Sequence, residues 1–267
     1  MVSNGKPMSP RHPNPSDLPP ATLSEIDGVR YLHLGTPWVQ GAMRIARPQR
    51  IELDYVQRML ASLLWRPSEA LGEGHAVQLG LGAAAITRFT LQALMMPTTV
   101  VELNPHVILA CHTWFRLPRN GPLLSVVQAD AGAWLQGPKA AELAGQTSLL
   151  HVDLYDHEAA APVLDDEAFY ADCRRLLAPG GLLSVNLFGR DASFERSCLR
   201  IVTAFGADQV WSLRPTREGN TVVVAGCEVR VPDRETLKSR ASHLEQRFFR
   251  QGLPATKWLR MVRPFGR

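Results

Sequence analysis

What this chain lacks narrows it before any motif is read. Its 267 residues contain nothing close to eighteen consecutive apolar positions, so no membrane-crossing helix is expected. The first twenty-five residues are rich in Pro, Ser and Asn and carry no apolar segment; residues 1–25 read as a disordered leader and not as a secretory signal. Cysteine is scarce. Cys111, Cys173, Cys198 and Cys227 stand far apart with no CxxC pair, which points away from a metal site and towards a reduced, cytoplasmic protein. What the chain does have, 45% hydrophobic residues, is enough to bury a full core.

Charge is unevenly spread. From Glu228 to Arg267 there are ten Lys/Arg against four Asp/Glu, a local +6; the rest holds nineteen against twenty-one, or −2. A basic tail can touch nucleic acid or an acidic surface. Here Leu237, Ala241, Leu244 and Phe248 recur at helical spacing, and no aromatics alternate with the basic residues to stack bases. The tail, 229–267, is therefore read as a packed helix with a solvated charged face, without a nucleic-acid or membrane partner.

Periodicity divides the remainder. Residues 26–49 alternate apolar and polar around Gly35 and Gly41, and residues 50–65 place apolar side chains at helical spacing. Together they form a small N-terminal β-hairpin region plus helix over 26–70. Over 71–228 strands alternate with helices. Strands are expected at 75–80, 98–103, 123–128, 148–153 and 182–188, then 209–214 and 220–226 as an antiparallel hairpin around Glu218-Gly219-Asn220. Helices are expected at 84–95, 105–116, 166–178 and 191–205. That is an α/β, mostly parallel, seven-stranded Rossmann-like sheet.

Four features follow one another in the order of an open nucleoside-binding sheet. Gly80 and Gly82 end the first strand in a turn where backbone can approach a ligand closely. Glu102 ends the second strand, where a carboxylate can accept both ribose hydroxyls, although it would equally oppose the dipole of the helix that begins near Pro105. Asp130 follows the third strand; it can accept from an adenine amino group or cap the next helix, with the Ala131 N–H beside it. Asp153 and Asp156 close the fourth strand, Ser148-Leu149-Leu150-His151-Val152. A buried strand leading into an acid wastes desolvation energy unless the acid is used, so this pair is read as holding a cation and accepting a proton. His151 and His157 flank it, and His151 is read as a packed, hydrogen-bonded core histidine.

Those residues carry a resemblance to the polyamine aminopropyltransferases, spermidine synthases and their relatives, over about residues 26–226. Asp27-Gly28-Val29 with Leu53 to Met59 is similar to the family's "DG-x-x-Q … Y-x-E-M". Val101-Glu102-Leu103-Asn104-Pro105 resembles its "VEIDP", Asp130-Ala131 its "GDA", and Asp153-Leu154-Tyr155-Asp156 its "D-x-x-D". Phe169-Tyr170, Cys173 and Leu176 to Gly181 resemble "FY-x-x-C-x-x-x-L-x-x-GG". The resemblance implies a class I AdoMet-methyltransferase-type fold and aminopropyl transfer from decarboxylated AdoMet to a diamine such as putrescine, with no metal. It also implies Asp153 as general base, Asp156 holding the amine, Tyr55 orienting it, and a homodimer. Two departures stand out. The family's "GGGDGG" is Gly80-Leu81-Gly82-Ala83-Ala84-Ala85 here, so Ala83 replaces the acid that meets the donor's ammonium and excludes the AdoMet carboxylate. The "SG-x-W" stretch is missing around Glu218-Gly219-Asn220-Thr221. An AdoMet-dependent methyltransferase and a non-catalytic nucleoside or polyamine binder therefore stay open beside the first reading, with a nicotinamide dehydrogenase more distant.

Overall fold

A computed structural model describes residues 18–155, 164–188 and 192–265. Three antiparallel strands open it: β1 (Ala21–Ile26), β2 (Val29–Leu34) and β3 (Gly41–Arg44), in the order β1-β2-β3. Asp27 and Gly28, both with positive φ, make the two-residue turn between β1 and β2. Residues 21–25, expected in the leader, are instead most of β1.

The expected helix over 50–65 is split into α1 (Asp54–Met59) and a tighter 3₁₀ turn, Leu60–Trp65, whose side chains are all buried. The main sheet follows: β4 (His75–Leu79), β5 (Thr98–Glu102), β6 (Leu124–Gln128), β7 (Thr147–Val152), β8 (Leu177–Phe188), β9 (Val210–Ser212), β10 (Asn220–Gly226) and β11 (Arg263–Pro264). Their order is β11-β9-β10-β8-β7-β4-β5-β6. From β8 to β6 the pairing is parallel, and β10, β9 and β11 add antiparallel. The expected seven strands gain an eighth, the two-residue β11, because the tail folds back onto β9. β8 also starts at Leu177, not 182, since Pro179 and Gly180 (φ +78°) extend the strand and do not end it.

Helices cover both faces: α2 (Ala85–Arg88), α3 (Pro105–Trp114), α4 (Ala131–Leu135), α5 (Pro138–Glu142), α6 (Glu167–Leu176), α7 (Ala192–Phe205), α8 (Arg234–Arg247) and α9 (Ala255–Trp258). The expected 84–95 helix shrinks to α2 followed by a π turn, Phe89–Ala93. One core face packs Leu149, Leu182, Val222 and Val224 against α1, the 3₁₀ turn and α8; the other packs Leu150, Val152, Leu183 and Val185 against α4, α6 and α7. In α8 Ala241 and Leu244 are buried, as is Phe248 just after it, while Leu237 is partly buried. The tail's apolar stripe thus faces the core, as its spacing predicts. Among the described residues no helix is long and apolar enough to cross a membrane.

Candidate active site

Glycine at the end of β4 is a steric requirement. Gly80 has φ +87°, and a Cβ there would lie 2.1 Å from the Asp153 carbonyl oxygen. Gly82 has φ +51° and faces the Gln40 carbonyl of the N-terminal sheet. Backbone of β4, the end of β7 and the small sheet therefore converge, and only a residue without a side chain fits between them. From behind, Arg88 donates to the carbonyls of Ala83 and Phe115, each at 2.7 Å, and the Cys111 thiol donates to Gly82 at 3.1 Å. The turn is rigid before any ligand arrives.

Ala83 lines a small side pocket with Tyr55, Gly82 and Asp153. It is 3% exposed, and a Cβ placed on Gly41 would come within 2.5 Å of it, so β3 lies directly over the position where the resemblance puts an acid.

Glu102 ends β5. Its two oxygens accept the N–H groups of Leu81 and Asn104, both at 2.8 Å, which ties the glycine turn to the start of α3. Burial raises its pKa, as does Asp153, and the backbone donors oppose them. Each oxygen keeps a lone pair for a ligand hydroxyl. Asn104 caps α3 by accepting from His106 at 2.9 Å. Asp130 accepts from Ala133 at 2.8 Å and so caps α4; its first residue, Ala131, lines the same space.

Asp153 follows β7. Asn186 of β8 donates to it at 2.9 Å, and the Tyr55 phenol of α1 is directed at the same carboxylate. Burial pushes the Asp153 pKa above the ordinary carboxylate value, with Asn186 and Tyr55 pulling the other way. Tyr55 is raised well above its usual value by burial first and then by Asp153, so it remains a phenol and a donor. Asn186 accepts from Asn220 at 3.2 Å, which extends the network to the β9–β10 turn. Tyr155 donates to the Asn186 carbonyl at 3.0 Å. Asp156 and His157 lie outside the described residues. His151 is a core residue: its Nδ1 sits 2.7 Å from Ser184 Oγ, and burial lowers its pKa to about 4.

These groups open onto one cavity of about 810 Å³, roofed by Tyr31, Trp38 and Gln40 of the N-terminal sheet and its loop. It brings together Tyr55, Gly80, Gly82, Glu102, Asp130, Ala131 and Asp153. The wall holds six carboxylates, Glu52, Asp54, Glu102, Asp130, Asp153 and Glu218, and no Lys, Arg or His among the described residues. Sequence reasoning missed Glu52, Asp54, Trp38 and Gln40, because strands and helices distant in the chain supply them. For Glu218 and Asn220 the signal was present in the polar turn, but its direction was not.

An open parallel sheet with a glycine turn, a strand-end acid and an antiparallel terminal hairpin defines a Rossmann-like protein of the AdoMet-methyltransferase type. The chain is 30% identical over 233 residues to a polyamine aminopropyltransferase from Chromobacterium violaceum, covering 86% of this chain and 85% of that one. It therefore belongs to the polyamine aminopropyltransferase family. In structure it is similar to a probable spermidine synthase from Corynebacterium glutamicum, with a TM-score of 0.68, 18% identity and coverage of 90% and 88% of the two chains. It is also similar to human methyltransferase-like protein 13 in complex with SAH, with a TM-score of 0.62, 19% identity and coverage of 74% and 93%. No protein-family model matches the chain.

Proposed function

We propose that this protein is an enzyme that moves an aminopropyl group from decarboxylated AdoMet to a diamine such as putrescine. The observation that carries the reading is the cavity: nucleoside-compatible on one side and, among the described residues, anionic throughout its charged lining, which includes Asp153. A sulfonium donor and an ammonium acceptor are both cations, and in a cleft of one sign each is attracted. Glu102 would accept the ribose hydroxyls, Asp130 and Ala131 would meet the adenine, and Gly80 and Gly82 would let the backbone close on the nucleoside.

The acceptor amine arrives protonated, because alkyl amines titrate near pH 10. Asp153 takes its proton as general base, favoured by the upward shift that burial gives it. Tyr55 and Asn186 hold the carboxylate in place. The neutral nitrogen attacks the methylene carbon bonded to sulfur; a C–N bond forms, the C–S bond breaks, and its electron pair stays on sulfur as a neutral thioether. The positive charge passes to the new secondary amine. Asp156 is proposed to add negative charge beside the same amine. The donor is already activated, so the chain's contribution is alignment and proton removal.

A second reading, methyl transfer from AdoMet, is favoured by one observation: Ala83 places no acid in the cavity to repel an AdoMet carboxylate. One experiment separates them. Incubation with putrescine and either donor, followed by mass analysis, yields spermidine and methylthioadenosine in the first case. In the second it yields a methylated amine and S-adenosylhomocysteine. A protein that binds these molecules but forms neither product set is a binder and not an enzyme.

A further inference from the structure

Five of the six cavity carboxylates are already committed. Glu52 accepts both Arg44 nitrogens at 2.9 Å and lies 3.2 Å from Arg50. Asp54 is forked by Arg58, with contacts at 3.1 and 2.6 Å. Glu102 takes two backbone N–H groups and Asp130 one, while Asp153 holds Asn186. Glu218 differs: it is exposed, reaches the cavity wall, and has no donor or cation among the described residues.

Nor is Glu218 on a loose loop. Thr216 N–H donates to the Asn220 carbonyl at 2.7 Å, and Asn220 N–H donates to Thr216 Oγ1 at 3.2 Å. Gly219, at φ +105°, lies against the Phe188 ring, itself part of the cavity wall. Asn220 then bonds Asn186, which bonds Asp153. Two asparagines thus link the Glu218 turn to Asp153 on the wall of one cavity.

We infer that Glu218 binds the far ammonium of the acceptor, so that the cavity selects a dication whose near nitrogen lies at Asp153. The inference rests on the acceptor being an amine, as proposed above, and adds a residue that decides which amines enter. A monoamine would leave Glu218 unpaired, whereas a diamine satisfies both carboxylates at once. Because Glu218 is exposed and Gln is isosteric, Glu218→Gln keeps the shape and removes only the charge.

The test measures binding separately from turnover. Calorimetry with 1,4-diaminobutane and with 1-aminobutane, each in the presence of methylthioadenosine, gives the diamine-over-monoamine affinity ratio for the unmodified protein and for E218Q. The unmodified protein is expected to favour the diamine, and E218Q to lower that ratio about two- to fivefold, the range of one exposed charged contact. An unchanged ratio, or a ratio near one in the unmodified protein, overturns the inference. If the ratio falls as expected while no aminopropyl product forms from decarboxylated AdoMet, the transfer reading fails and the assignment of Glu218 stands.

Discussion

Replacing Asp153 with Asn should make the protein more stable and nearly inactive at the same time. The carboxylate sits where burial raises its pKa, with only Asn186 and Tyr55 compensating. Asp153 thus binds a proton more tightly folded than unfolded. That linkage favours the folded state most at low pH, below the unfolded carboxylate pKa, and is lost as pH rises through the folded pKa. Above its raised pKa the folded protein therefore carries an ionised group that it holds at a cost. Asn is isosteric, still accepts from Asn186 Nδ2, and has no charge to desolvate. Removing such a strained site residue typically gains about 0.5–2 kcal/mol, which for a chain this size is a Tm rise of roughly 1–4 °C. The difference should shrink as pH falls and Asp153 itself takes up its proton. Loss of a general base costs about 10²- to 10⁴-fold in rate, equivalent to about 2.7–5.4 kcal/mol of barrier. Thermal melts between pH 4 and 8, with methylthioadenosine release at saturating substrates, measure both effects. A variant within tenfold of the parent kcat, or with a lower Tm at neutral pH, would refute the reasoning.

Other consequences can be checked independently. Asn186→Ala removes a donor that lowers the Asp153 pKa, so the acid limb of the pH–rate profile should move to higher pH; an unmoved limb would separate Asn186 from the base. Glu102→Gln presents an amide NH₂ to one of two backbone N–H groups, and should weaken methylthioadenosine binding by about 1–3 kcal/mol in calorimetry while lowering Tm. Gly80→Ala places a Cβ 2.1 Å from the Asp153 carbonyl at a positive φ, so a loss of stability of at least about 1–3 kcal/mol is expected in denaturant titration. Equal stability would mean that the turn relaxes more freely than its neighbours allow.

The sequence by itself determined the succession of strands and helices and the acids at the strand ends, because those signals are local. A buried parallel strand is a short apolar run, and a glycine at positive φ or a proline marks where it turns. Glu102, Asp130 and Asp153 were legible for the same reason: each directly follows such a run. Local signals misplaced the start of β8 and the start of β1, since pairing with β7, β10 and β2 outweighs the intrinsic preference of Pro, Gly and a polar leader. Which of the described acids are paired depends largely on how one element packs against another. Arg44 of β3 reaches Glu52 in the segment that precedes α1, and Asn186 and Asn220 meet only because β8 and β10 pair antiparallel. The same holds for Ala83. In the chain it reads as an acid missing from a ligand loop; in the fold it is a small side chain required by Gly41 passing over it. Close packing between segments some forty residues apart leaves no trace in either segment's periodicity, and so it could be read only once both were in place.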